Sequence, residues 1–224
     1  MPSTRLYVNI TNHCNVACPF CCMYSSPAKH TFMSSEKFAE ILQSHQDYEL
    51  QLEGGEPMLH PCIKSFLQRA WEERQCKKLI VLTNGLNLRE DLQNIVNWRD
   101  ICAKPTVLKI SVNSFLMEQR SRFLFEIALA IQNIQFISNF SIQLNVRKSY
   151  EDSFDIEQEL KKYNLLPFVS NIFYFNRYGR LKEDTRYGDI VINQNIDTWK
   201  VYASDGTCFN TDLIARSEYE NELN

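Results

Sequence analysis

Apolar residues along this chain fall into short runs of strand length, separated by segments in which they recur at helical spacing. The strand pattern covers 6–10, 49–52, 79–83, 107–112, 140–146 and 168–175, each rich in β-branched or aromatic residues. Helical spacing predicts helices near 34–46, 61–75, 88–98, 118–137 and 152–163. Ser34-Ser35-Glu36-Lys37 opens the first with capping residues, and Pro61 opens the second, where its missing N–H costs nothing. Asp152-Ser153 places a carboxylate at the start of the last, where the helix dipole favours it. Phe123, Ile127, Ala130, Ile131 and Ile134 predict a helix face buried against a sheet.

Strands that alternate with helices imply a parallel sheet with right-handed crossovers. A full eightfold barrel typically needs about 250 residues. Six βα steps here predict an α/β fold: a partial (βα)6 TIM-like barrel, laterally open, over residues 1–180, with a short C-terminal extension over 181–224. Ligands of such sheets sit at the carboxyl ends of the strands. Residues 14–21, 54–57 and 83–85 each follow a predicted strand, which places them on one rim.

The 224 residues are 44% hydrophobic and 12% aromatic, enough for a substantial core. A net charge of −3 with interspersed signs gives no electrostatic case for nucleic acid or an anionic membrane. The N-terminus lacks the apolar region of a signal peptide, and no run reaches the roughly 18 apolar residues of a membrane span, so a cytoplasmic protein is expected. Eight cysteines without an export signal argue for thiols or metal ligands over disulfides. Cys62, Cys76, Cys102 and Cys208 stand singly and are expected as small buried hydrophobes.

The other four are grouped. Cys14, Cys18 and Cys21 have the spacing C-x3-C-x2-C, with Cys22 adjacent. Three soft thiolates so placed suit three corners of a [4Fe–4S] cube and leave its fourth iron open for chemistry. Thr11-Asn12-His13-Cys14-Asn15-Val16-Ala17-Cys18-Pro19-Phe20-Cys21 resembles the cluster loop of radical S-adenosylmethionine (SAM) enzymes. Glu53-Gly54-Gly55-Glu56-Pro57 resembles that family's GGEP motif, and Thr83-Asn84-Gly85 its TNG motif. Lys109-Ile110-Ser111-Val112-Asn113 occupies the place of its fourth strand, and the resemblance spans roughly residues 5–180.

The resemblance implies one [4Fe–4S] cluster on Cys14, Cys18 and Cys21, with SAM completing the fourth iron. One electron then breaks the C5′–S bond, giving methionine and a 5′-deoxyadenosyl radical that abstracts a substrate hydrogen. It also implies SAM contacts from Phe20 against the adenine, from Gly54, Gly55, Glu56 and Pro57 at the methionine end, and from Thr83 and Asn84. Ser111 and Asn113, which alternate onto one strand face, are placed at the ribose. Arg147 is a candidate for the SAM carboxylate or an anionic substrate. A flavodoxin or ferredoxin would supply the electron.

Plainer readings stand beside these. The cysteines with His13 or His30 would also suit zinc. Gly85 would serve a strand end at φ > 0, Ser111 and Asn113 would serve as polar barrel residues, and Arg147 as a structural ion pair. Cys22 is expected to point elsewhere as a bystander, and His30, His45 and His60 to make local contacts. Residues 201–209 read as a hairpin-like turn and resemble the opening of the SPASM or twitch extensions of peptide-modifying relatives. Those extensions bind auxiliary clusters through several cysteines, whereas this tail has only Cys208, so no second cluster is expected. Residues 217–224 are expected as a frayed helix end. Three functions follow in order: a maturase acting on a peptide or protein side chain; a small-molecule radical enzyme or glycyl-radical activase; and a non-enzymatic iron–sulfur or zinc module.

Overall fold

Each strand expected from the apolar runs is present in the structure, a computed structural model that describes residues 4–98, 104–150, 155–189 and 198–223. β1 (Thr4–Thr11), β2 (Tyr48–Gly54), β3 (Cys76–Thr83), β4 (Thr106–Val112), β5 (Phe140–Lys148) and β6 (Val169–Tyr174) lie side by side in chain order. A seventh strand, β7 (Trp199–Tyr202), joins from the tail and flanks β1. All pairings are parallel, and the sheet is an open half-barrel with β6 and β7 at its edges. The hairpin-like tail is thus partly a strand of the sheet: Tyr202 bridges antiparallel to Cys208 after the turn.

Crossover helices α1 (Ser35–Gln43), α2 (Ile63–Glu72), α3 (Leu88–Trp98), α4 (Ser114–Gln119), α5 (Phe123–Ile134) and α6 (Ile156–Lys162) separate the strands. Alternate strand residues such as Leu6, Val8, Ile10, Leu50, Leu52, Val81, Leu108, Ile110, Leu144 and Val146 face these helices and form the core. Phe38 of α1 and Phe66 of α2 stack within it at 4.2 Å. Burying each such side chain stabilises the fold by about 1.5–3 kcal/mol. The opposite, concave face carries polar residues in matching register, among them Asn9, Glu53, Lys109, Ser111, Asn145 and Arg147. That division explains the alternating strand pattern, which a parallel sheet buried on both faces lacks.

Several expectations need correction. The helix predicted over 118–137 is two, α4 and α5, broken where Arg120 turns its guanidinium to Leu86 O and pairs with Glu126. α6 starts at Ile156 with Asp155 as its cap, Oδ1 accepting Gln158 N–H at 3.0 Å, while Asp152, Ser153 and Cys102 lie outside the described residues. Cys76 is buried, but Cys62 and Cys208 are exposed. The tail does not fray at 217: α7 (Leu213–Glu222) buries Arg216, Ser217 and Glu220. Its contacts are polar, so apolar periodicity does not reveal them. Among the described residues no helix is long and apolar enough to cross a membrane.

Candidate active site

Three loops meet at the carboxyl ends of β1, β2 and β3. The first leaves β1 and returns to it, closed at its base by Met33 N–H donating to Ile10 O at 2.8 Å and Asn12 N–H donating to Thr31 O at 3.2 Å. It carries Cys14, Cys18 and Cys21 as free thiols, with Cys21 N–H donating to Cys18 O at 3.1 Å in a tight turn.

The second loop, residues 54–57, docks onto the first through backbone alone. Gly55 N–H donates to Thr11 O at 2.7 Å, and Glu56 N–H to His13 O at 2.9 Å. A Cβ on Gly55 would lie 2.0 Å from His13 O, and one on Gly54, whose φ is +147°, 2.2 Å from Thr11 O. Both glycines are therefore required by the approach of protein to protein, a role that sequence reading had attached only to the cofactor. Pro57 is buried and opens a 3-10 turn over Pro57–Leu59.

Glu56 joins this loop to the third. Its buried carboxylate accepts from Met58 N–H at 3.2 Å and from Asn84 N–H at 2.7 Å. Burial pushes its carboxyl up to about 7. Asp91 of α3 is raised to about 8 by burial first and then by the neighbouring charges of Glu56 and Glu90. In the third loop Thr83 Oγ1 accepts Gly85 N–H at 3.0 Å, and Gly85 turns at φ +71°. Asn84 Nδ2 reaches back to Asn15 Oδ1 at 2.7 Å, which closes a circuit through all three loops.

Further along the rim, Asn113 caps α4 by accepting Leu116 N–H at 2.9 Å. Ser111 is half-buried beside Asn145, whose Oδ1 accepts from Asn171 at 3.0 Å. Phe20 stacks on Phe175 at 4.4 Å and meets Phe115 edge-on, so one face of its ring is already covered. Arg147 pairs with no carboxylate among the described residues; its Nη1 lies 3.7 Å from Cys22 Sγ. Arg147 thus links Cys22 on the loop to β5.

The C-terminal segment contributes residues that sequence reading passed over. Arg216 Nη1 donates to Glu53 Oε1 at 2.8 Å in a buried ion pair, and Glu220 accepts from Asn9 at 2.9 Å and from Ser204 Oγ at 2.8 Å. The Ser217 hydroxyl donates to Cys22 O. Arg180 donates to three carbonyls of the cysteine loop. The sequence signal for these contacts is a turn with cationic and polar groups, Asn176-Arg177-Tyr178-Gly179-Arg180-Leu181.

The donor set fits an iron–sulfur cluster: three soft thiols on one braced loop, with the guanidiniums of Arg180 and Arg147 near enough to favour thiolate at Cys18. Burial pushes Cys14 and Cys18 up to about 12 and raises Cys21 as well, so binding iron must displace protons. Among the described residues no three His, Cys, Asp or Glu side chains converge on one metal ion. A cube asks for something else, since each thiolate ligates a different iron.

A family model for the radical SAM superfamily matches residues 8–179. GTP 3′,8-cyclase of Pectobacterium atrosepticum is 29% identical over 116 residues, covering 49% of this chain and 34% of that protein. The subtilosin biosynthesis protein AlbA of Bacillus subtilis is 29% identical over 118 residues, covering 51% and 25%. The chain therefore spans at most about a third of these relatives. The fold matches Streptococcus suis SuiB bound to S-adenosylmethionine with a TM-score of 0.58 at 15% identity, covering 85% of this chain and 44% of that one. It matches SuiB bound to its precursor peptide SuiA with a TM-score of 0.64 at 13% identity, covering 95% and 60%.

Proposed function

The chain belongs to the radical SAM superfamily, and from that premise we propose that it is a radical SAM enzyme modifying a peptide or protein side chain. The observation that carries the reading is the hydrogen-bonded circuit joining the cysteine loop to residues 54–57 and 83–85. Cys14, Cys18 and Cys21 would hold a [4Fe–4S] cluster as thiolates. When bound, cluster and SAM supply a one-electron cleavage of the C5′–S bond, giving methionine and a 5′-deoxyadenosyl radical.

The chain's own residues bind and orient. Glu56 fixes the distance between the second and third loops, so the backbone of residues 54–57 presents a preset edge to the methionine end of SAM. The free face of Phe20 is positioned for the adenine. Asn113 keeps its amide NH2 for the ribose while its oxygen caps α4, and Ser111 offers a hydroxyl beside it. Thr83 and Asn84 act by shaping the third loop, and Pro57 by stiffening the second. Arg147, without a carboxylate partner among the described residues, would meet an anionic group of SAM or substrate.

The laterally open sheet supports a chain-like substrate, as do the likenesses to AlbA, named for bacteriocin biosynthesis, and to SuiB, solved with a precursor peptide. Similarity to GTP 3′,8-cyclases favours a second reading, a small anionic substrate. A flavodoxin or ferredoxin is the proposed electron donor. Anaerobic reconstitution followed by mass spectrometry for 5′-deoxyadenosine tests the chemistry. Co-expression with short peptides encoded beside the gene tests the substrate. SAM cleavage without a mass change in any peptide would remove the peptide reading.

A further inference from the structure

Arg180 lies one position beyond the residues that match the family, yet its side chain makes three hydrogen bonds to the cysteine loop. Its Nη1 donates to Cys18 O at 2.7 Å; its Nη2 donates to Tyr24 O at 3.0 Å and Ser25 O at 2.9 Å. Its backbone N–H donates to Cys21 O at 3.1 Å. Gly179 makes this approach possible: it sits at φ +63°, and a Cβ there would fall 2.3 Å from Cys22 Cα. Tyr24 hydroxyl donates to Gly179 O at 2.8 Å, so the clamp is closed from both sides.

The other arginines with ion pairs differ in kind. Arg5, Arg120, Arg177, Arg186 and Arg216 each meet a carboxylate. Arg180 directs its donors to carbonyls and meets no carboxylate among the described residues, so its positive charge is left without an ion-pair partner beside the loop that carries Cys14, Cys18 and Cys21. Backbone carbonyls fixed by a planar guanidinium also hold the loop's shape with no metal present, which a flexible lysine does poorly.

We propose that Arg180 is a positioning residue for the cluster, holding the cysteine loop in ligating shape before iron arrives and raising the reduction potential of the cluster once bound. This rests on the reading that Cys14, Cys18 and Cys21 hold that cluster. The second effect follows from Coulomb's law: reduction adds negative charge, and a nearby uncancelled cation stabilises the reduced form more than the oxidised one.

Arg180→Gln removes charge and fork together, while Arg180→Lys keeps the charge and loses the fork. Hydrogen exchange on the metal-free proteins reads the loop. Exchange of the amides of residues 18–25 should quicken by roughly tenfold or more in both variants. Reductive titration followed by electron paramagnetic resonance reads the potential, which should fall in Arg180→Gln and stay near the parent value in Arg180→Lys. Parental exchange in the loop of either variant, or a parental potential in Arg180→Gln, overturns the proposal. If Arg180→Gln does not fold, Arg180→Lys decides through its exchange and unchanged potential. Failure of the parent protein to take up iron and sulfide would instead overturn the cluster reading, whatever the exchange data show.

Discussion

Replacing Gly55 by alanine separates a structural role for this glycine from a cofactor role. Gly55 has no positive φ, so alanine brings no backbone strain of its own, unlike Gly54 at +147°. The cost is purely one of space. The new Cβ would sit 2.0 Å from His13 O and 2.5 Å from His13 C, both backbone atoms that cannot rotate away. Relief requires the second loop to back off by more than about 1 Å, since carbon and oxygen in contact stand well over 3 Å apart. That movement breaks the bonds from Gly55 N–H to Thr11 O and from Glu56 N–H to His13 O, now 2.7 and 2.9 Å. Leaving such groups unpaired costs about 1–3 kcal/mol each, so a loss of about 2–6 kcal/mol is expected. For a chain of this size the melting temperature should drop by roughly 4–24 °C. The assay is thermal and urea unfolding of the metal-free protein in the absence of SAM. Gly188→Ala serves as control, because nothing lies within 4 Å of its added Cβ. An unchanged stability with only SAM affinity reduced would refute the reasoning and return the glycine to the cofactor.

Cys18→Ala should take up far less iron and produce no 5′-deoxyadenosine, read by iron assay and mass spectrometry; cluster content equal to the parent's would exclude Cys18 as a ligand. Glu56 titrates at about 7 and Asp91 at about 8, above ordinary values of 4.5 and 3.8. At these two groups the fold binds protons that the unfolded chain releases, so their contribution to stability falls as pH climbs from about 3.8 to about 8. Glu56→Gln should be less stable at pH 5 yet lose about 3 kcal/mol less between pH 4.5 and 7, and equal slopes in urea titrations would argue against this. Arg216→Ala strands the buried Glu53 carboxylate and should cost about 3–5 kcal/mol in urea unfolding. The double variant with Glu53→Gln should recover part of that loss.

The strands and the three rim motifs were legible because each rests on local signals. β-Branched runs mark strands, cysteine spacing marks a ligand loop, and Gly54, Gly55 and Gly85 mark backbone that a side chain would block. The break between α4 and α5 was not legible, since it depends on Arg120 finding Leu86 O from a distant loop. Nor were β7, four residues long, and the docking of α7, which is driven by Arg216 and Glu220 and not by an apolar stripe. The same blindness applies to Glu56. Its sequence context names a charged residue at a motif, but only the fold reveals that Met58 and Asn84 occupy both its oxygens.

The clamp on the cysteine loop has a bearing on how the protein is made. Cys18 and Arg180 are 162 residues apart in the chain, and Cys22 and Ser217 are 195 apart. On the ribosome the thiols emerge well before the residues that brace them. Until then the loop has its four cysteines but no Arg180 and no α7, and long-range closure of this kind is the slow part of folding. A nascent chain thus exposes its thiols to stray metal and oxidant until those residues arrive. Bracing of the loop is therefore set by the arrival of Arg180 and α7 and not by that of the cysteines themselves.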